Sequence, residues 1–105
     1  MKVEQFINKN QFHMYGLVER WDKDYYTNLD ILQSYNSKVV EIETDGQQKK
    51  ITLGIDWDYS TTTSKHVYAF LEEYGNINFY GITNKKAYVN KLIKEGKINY
   101  DETMR

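Results

Sequence analysis

Two runs of alternating character, Lys38-Val-Val-Glu-Ile-Glu-Thr44 and Gln47 to Tyr59, flank Asp45-Gly46. Alternation with a period of two marks a strand buried on one face, and Asp-Gly supplies the positive φ angles of a tight turn, so the pair predicts a β-hairpin. In the second arm Ile51, Leu53, Ile55, Trp57 and Tyr59 share one face, and Lys50, Thr52, Asp56 and Asp58 share the other; Val40 and Ile42 join the apolar side. A turn at Asp45-Gly46 sets Glu41 against Lys50 and Glu43 against Gln48.

After Tyr59 the period lengthens to that of a helix. Thr63, Val67, Phe70, Leu71 and Tyr74 form one stripe, which predicts a helix from about Thr62 to Tyr74 with Gly75 as a left-handed cap. Asn76 to Ile82 reads as a short strand. Thr83 then caps a second helix that turns Tyr88, Val89, Leu92 and Ile93 inward and stops at Gly96, beyond which the tail is expected to fray. Upstream, Val3, Phe6 and Ile7 have helical spacing over Lys2 to Asn8, while Phe12 to Trp21 and Tyr25 to Tyr35, joined by Asp22-Lys23-Asp24, read as a second hairpin. The expected fold class is α+β: a small antiparallel sheet of about four or five strands around the Asp-Gly hairpin, with two or three helices on one face.

A chain of 105 residues is expected to form a single domain over residues 1–105. There are 0 cysteines, which excludes disulfides, zinc-thiolate sites and a cysteine nucleophile. No run approaches the roughly 18 apolar residues of a membrane span, and MKVEQFINKN lacks a secretory signal's apolar stretch, so the expectation is a cytoplasmic protein with no membrane contact. A net charge of −1 fits neither a strongly basic nucleic-acid binder nor an acidic mimic of nucleic acid. Charge is nevertheless uneven: from Glu19 to Asp45 acids outnumber bases, and Lys85, Lys86, Lys91, Lys94 and Lys97 face Glu95 alone across residues 85–97. The 10 tyrosines either fill the core of a chain poor in smaller apolar residues or supply a binding surface.

Tyr59-Ser60-Thr61-Thr62-Thr63-Ser64-Lys65-His66 is the densest polar motif. One hydroxyl among Ser60 to Thr63 suffices to cap the helix, and no Glu or Gln stands three residues on to complete a capping box. Free amides, hydroxyls, Lys65 and His66 therefore make the helix start a candidate contact for an anion or a partner's carboxylate, with Tyr59, Ser60, Thr62, Thr63 and Ser64 beside it. Against this stand Asp56 and Asp58 just upstream, and the plainer role of a structural cap.

The other constellations are weaker. His13 and His66 are too few for a zinc triad and lack metalloprotease spacing, and His66 borders the apolar stripe, where packing its ring and bonding a carbonyl is the simpler role. Glu41, Glu43, Asp56 and Asp58 are spread along the hairpin, which argues against a metal site and leaves them as a candidate acidic surface for a partner. Lys85, Lys86, Lys91 and Lys94 could touch nucleic-acid phosphates without reading bases. No metal, cofactor or catalytic set is assembled, and a non-enzymatic protein is expected.

Tyr35-Asn36-Ser37-Lys38-Val39-Val40-Glu41-Ile42, followed by Tyr59 to His66 and an apolar helix ending in Phe70-Leu71, resembles a family of small phage and mobile-element proteins with a core of the form YNT-x-VA-x-I, a hairpin, then YS-x-TTSKH. The resemblance covers Tyr35 to about Tyr74; Ser37 and Glu41 depart from the first block, while Lys65-His66 keeps the second intact. It implies context rather than chemistry. Accessory proteins of such elements often bind host macromolecules, and anti-CRISPR-like inhibitors of defence nucleases are one such class. The expected function is thus docking on a host protein, with acidic residues facing a nuclease's basic channel. The alternative is a small nucleic-acid-binding accessory protein using the lysine-bearing C-terminal helix. Either a monomer or a homodimer suits this reading.

Overall fold

The computed structural model describes residues 2–6, 16–22, 27–34 and 37–105. Among the described residues six strands form one sheet in the order of the chain, more than the four or five expected: β1 (Lys2–Phe6), β2 (Gly16–Asp22), β3 (Thr27–Ser34), β4 (Ser37–Asp45), β5 (Gln48–Gly54) and β6 (Asn99–Asp101). The first five are antiparallel neighbours; β6 returns parallel to β5 after two helices, α1 (Thr61–Tyr74) and α2 (Lys85–Lys94). The fold is α+β, with a mixed sheet rather than the wholly antiparallel one expected.

Burial alternates on β3: Asp30, Leu32 and Ser34 are buried, while Leu29, Ile31 and Gln33 are half-buried. Leu32 pairs with Val40, Val40 with Leu53, and Ile42 with Ile51, so one apolar face runs across three strands. Val67, Phe70 and Leu71 of α1, with Val89 and Leu92 of α2, join those residues in one core. A bulge between Leu32 and Gln33 adds one residue to β4, and Val39 and Val40 are buried in succession there.

Several elements depart from the sequence reading. The helix expected over Lys2 to Asn8 is strand β1, its register running Lys2↔Arg20 to Phe6↔Gly16, with Asn8 outside the described residues. So short a helix has little stability of its own, and a neighbouring strand offers the backbone bonds it needs. Tyr25, Tyr26, Tyr35 and residues 12–15 also lie outside the description, and the expected second hairpin is seen as β2 and β3, joined in register from Asp22↔Asn28 to Gly16↔Ser34. The Asp-Gly hairpin forms with its register moved: Asp45 pairs with Gln48, so Gly46 and Gln47 make the turn. Gly46 takes φ 62 as first loop residue, the position that a type II′ turn reserves for glycine. Glu43 therefore faces Lys50, and Glu41 faces Thr52.

β5 ends at Gly54, and successive turns at Trp57 N to Gly54 O (3.2 Å) and Tyr59 N to Asp56 O (3.1 Å) break the expected common face. Ile55 and Tyr59 are consequently exposed while Trp57 is buried. Residues 76–82 form turns instead of a strand. Asn78 Oδ1 accepts from Tyr80 N at 2.8 Å, Ile82 N reaches Phe79 O at 3.0 Å, and Phe79 is buried against Tyr68 and Tyr88. The left-handed residue after α1 is Asn76 (φ 58), because Gly75 keeps φ −100. Gly75 is required for space: an added Cβ would lie 2.8 Å from Leu71 O, 3.2 Å from Ile51 Cδ1 and 3.3 Å from Ile42 Cδ1. Asn84, not Thr83, caps α2 by accepting from Ala87 N at 3.0 Å. The tail beyond Gly96 is ordered as β6, not frayed.

Candidate functional site

The turn after β5 delivers Ser60 in extended conformation (φ −145, ψ 167) at the start of α1, where its Oγ accepts from Thr63 N at 3.1 Å. Ser60 Oγ also donates to Thr63 Oγ1 at 3.1 Å, so a single residue is the cap. No acidic side chain occupies the first turn. The remaining amides there keep their partial positive charge.

Helical spacing then splits the motif. Thr63 and His66 face inward and are buried, with the ring 0% exposed. His66 Nδ1 lies 2.7 Å from Ser34 Oγ, and Ser34 Oγ lies 3.5 Å from Thr63 Oγ1. A hydroxyl network thus joins the end of β3 to the first two turns of α1. Burial holds the His66 imidazole below its ordinary 6.5, favouring the neutral ring. A serine is thus a bonding partner of the ring. Ser34 and His66 have the composition of a nucleophile–base pair, yet both are sealed beneath α1, out of reach of a substrate.

The outward half lines an open groove of about 450 Å³. Tyr59, 79% exposed, lines it with Thr61, Ser64 and Lys65; Ser60, Tyr68, Asp58 and Lys86 complete it. Thr62 is half-buried and does not line the groove. Lys86 Nζ sits 3.4 Å from Asp58 Oδ2, bringing the start of α2 to the turn before α1. Burial raises the Tyr68 hydroxyl above its ordinary value, a shift opposed by its bond to Ser64 and by Lys86 and reinforced by Asp58, so it remains neutral. Lys85 Nζ lies 5.9 Å from the Tyr68 ring centroid and 5.8 Å from that of Phe79.

The candidate acidic surface is divided. Glu41 and Glu43 line a depression of about 290 Å³ on the sheet's other face with Leu29, Lys50 and Thr52. Lys38 bonds Glu41 at 2.8 Å, and Lys50 stands across from Glu43. Asp56 accepts from Ser37 Oγ at 2.9 Å, and Asp58 belongs to the groove. The lysines are divided too: Lys85 and Lys86 turn toward α1, whereas Lys91 and Lys94 are exposed in the last turn of α2, where they complement its dipole. Among the described residues no group of three or more His, Cys, Asp or Glu is placed to hold a metal ion, and no helix is long and apolar enough to cross a membrane.

A model of a family of unknown function, DUF8033, matches residues 1–89. The chain belongs to the DUF8033 family. No curated protein and no solved structure matches it. The family match spans both motif blocks, the five antiparallel strands and all of α1; it ends inside α2, leaving β6 outside.

Within this DUF8033 chain two buried polar residues lie outside both motif blocks. Ser34 and Asp30 share the face of Leu32, each two residues from it, and are buried as Leu32 is. That period-two relation was the available signal: polar residues at apolar positions of a strand mark buried polar contacts.

Proposed function

We propose that this DUF8033 chain is a non-enzymatic accessory protein of a phage or mobile element, acting in the bacterial cytoplasm by docking on a host protein, most concretely a defence nuclease that it inhibits. The observation that carries the reading is the division of the YSTTTSKH segment. Thr63 and His66 are consumed by the fold, whereas Tyr59, Thr61, Ser64 and Lys65 line an open groove without being needed to fill the core. An exposed tyrosine beside a lysine and hydroxyls is the composition of an interface anchor, with large area at low entropy cost. Mixed charge in the groove, Asp58 against Lys65 and Lys86, suits a protein surface better than a uniform polyanion. Nucleic acid is the less supported partner, because Lys86 faces Asp58 and Lys85 lies over two rings. The resemblance of the motif to phage proteins supplies the biological setting.

The test is affinity capture of the tagged chain from bacterial lysate, with and without nuclease treatment, alongside a Tyr59→Ala/Lys65→Ala chain. A stoichiometric protein that survives nuclease and is lost with the double variant supports the reading. Capture that depends on nucleic acid, or that ignores the two substitutions, overturns it.

A further inference from the structure

β6 is a three-residue strand on the outer edge of β5, pairing Asn99, Tyr100 and Asp101 with Thr52, Leu53 and Gly54. Its seat is specific. Asn99 Nδ2 donates to Ile51 O at 3.3 Å, Ile55 N donates to Met104 O at 3.1 Å, and the Ile98 and Met104 side chains are buried. Gly54 is bare where the strap crosses: an added Cβ would lie 2.5 Å from Met104 O. The strap also carries its own fold, since Asp101 Oδ1 accepts from Thr103 N at 2.9 Å and Met104 N donates to Asp101 O at 3.2 Å. Those bonds travel with it.

Only a short connection, residues 95–97, ties this unit to α2. It reverses direction at Gly96 (φ 77), with Lys97 N and Ile98 N bonded to Leu92 O at 2.9 and 3.2 Å. Extended, three residues span about 10 Å. We infer that the C-terminal strap is an exchangeable strand: seated on its own β5 it closes the sheet edge, and swung out about Gly96 it seats on the β5 of a second copy, which returns its own strap. The occupant follows from the seat, because the groove at Gly54 and the buried places of Ile98 and Met104 fit this sequence, and a second copy carries it unchanged. Every strap contact is regained in the exchange, so only the hinge bonds and the entropy of association oppose it, and reciprocity closes the assembly as a twofold dimer. This edge is separate from the α1 groove, and its test is independent of partner capture.

The absence of cysteine from the sequence makes the test clean. Thr52 and Asn99 are neighbours across parallel strands, and the usual strand spacing of about 4.8 Å lies within disulfide reach. A Thr52→Cys chain and an Asn99→Cys chain are refolded together, dilute and concentrated, then oxidised. The expected result is a disulfide-linked heterodimer that rises several-fold with concentration, exceeds either homodimer, and rises further when both chains carry Gly96→Val, since valine disfavours the left-handed hinge. A doubly substituted Thr52→Cys/Asn99→Cys chain, oxidised dilute, is expected to bridge within itself. Heterodimer no more abundant than homodimers at every concentration, or no internal bridge in the doubly substituted chain, overturns the inference.

Discussion

Ser34 Oγ lies 2.7 Å from His66 Nδ1, and both residues are buried. The contact joins the last residue of β3 to the second turn of α1, and Thr63, 3.5 Å from the same hydroxyl, ties it to the cap at Ser60. A buried ring nitrogen that loses its bonding partner incurs the desolvation penalty of a polar group. Ser34→Ala is therefore expected to lower stability by about 1–3 kcal/mol, read as a lower urea midpoint with an unchanged slope.

The same burial predicts a pH dependence. The folded ring is held below 6.5, so on acidification the unfolded chain takes up a proton before the folded one does. Stability from His66 is complete above the ordinary value of 6.5 and falls as pH drops through the interval between that value and the lower folded one. Urea midpoints measured across this interval should decline on the acid side, and His66→Gln should flatten the decline. His13 is present in both chains, so the difference between them isolates His66.

How much of this was legible follows from which forces are local. The Asp-Gly hairpin, the stripe of α1 and the stripe of α2 were readable because period and turn chemistry act over a few residues. Register was not: placing the turn at Asp45-Gly46 rather than Gly46-Gln47 set Glu41 against Lys50 instead of Thr52, so one position in the turn became two along the partner strand. β6 was misread because its partner, β5, lies far off in the sequence, and β1 because the helical spacing of Val3, Phe6 and Ile7 outweighed pairing with the neighbouring β2. The sequence narrowed the cap to Ser60 to Thr63 and set His66 at the border of the apolar stripe; the structure selects Ser60 and buries the ring. Ser34 did not, since nothing near residue 66 points to a residue 32 positions earlier.

Ser60→Ala removes the side chain that satisfies Thr63 N and donates to Thr63 Oγ1. A lost cap costs about 1 kcal/mol. Thermal or urea unfolding should show that loss, whereas Ser60→Asp, which keeps an acceptor and adds a negative charge near the helix start, should retain most of the stability.

Gly75 and Gly46 separate two reasons for glycine. At Gly75 a methyl would meet Leu71 O and the Ile51 and Ile42 side chains, so Gly75→Ala is expected to destabilise by about 1–3 kcal/mol through overpacking. At Gly46 nothing lies within 4 Å, but φ is 62, and Gly46→Ala should cost about 1 kcal/mol from backbone strain alone. A second substitution distinguishes them: Ile51→Val should partly relieve Gly75→Ala and leave Gly46→Ala unchanged, a coupling that a double-mutant cycle reads.

Tyr59 and Lys65 provide the sharpest separation between fold and function. Tyr59 is 79% exposed, and Lys65 is half-buried on the outward side of α1, away from the core cluster. Truncating such residues usually alters stability by no more than about 0.5 kcal/mol. Tyr59→Ala and Lys65→Ala should accordingly unfold at nearly the parent urea concentration while losing partner capture, because the docking proposal assigns the groove's contacts to the exposed ring and the charge beside it. His66→Ala should do the reverse, losing stability first and binding only as folded protein is lost. If Tyr59→Ala destabilised the chain as much as His66→Ala does, the outward half of the motif would belong to the fold, and the groove would lose its standing as a docking surface.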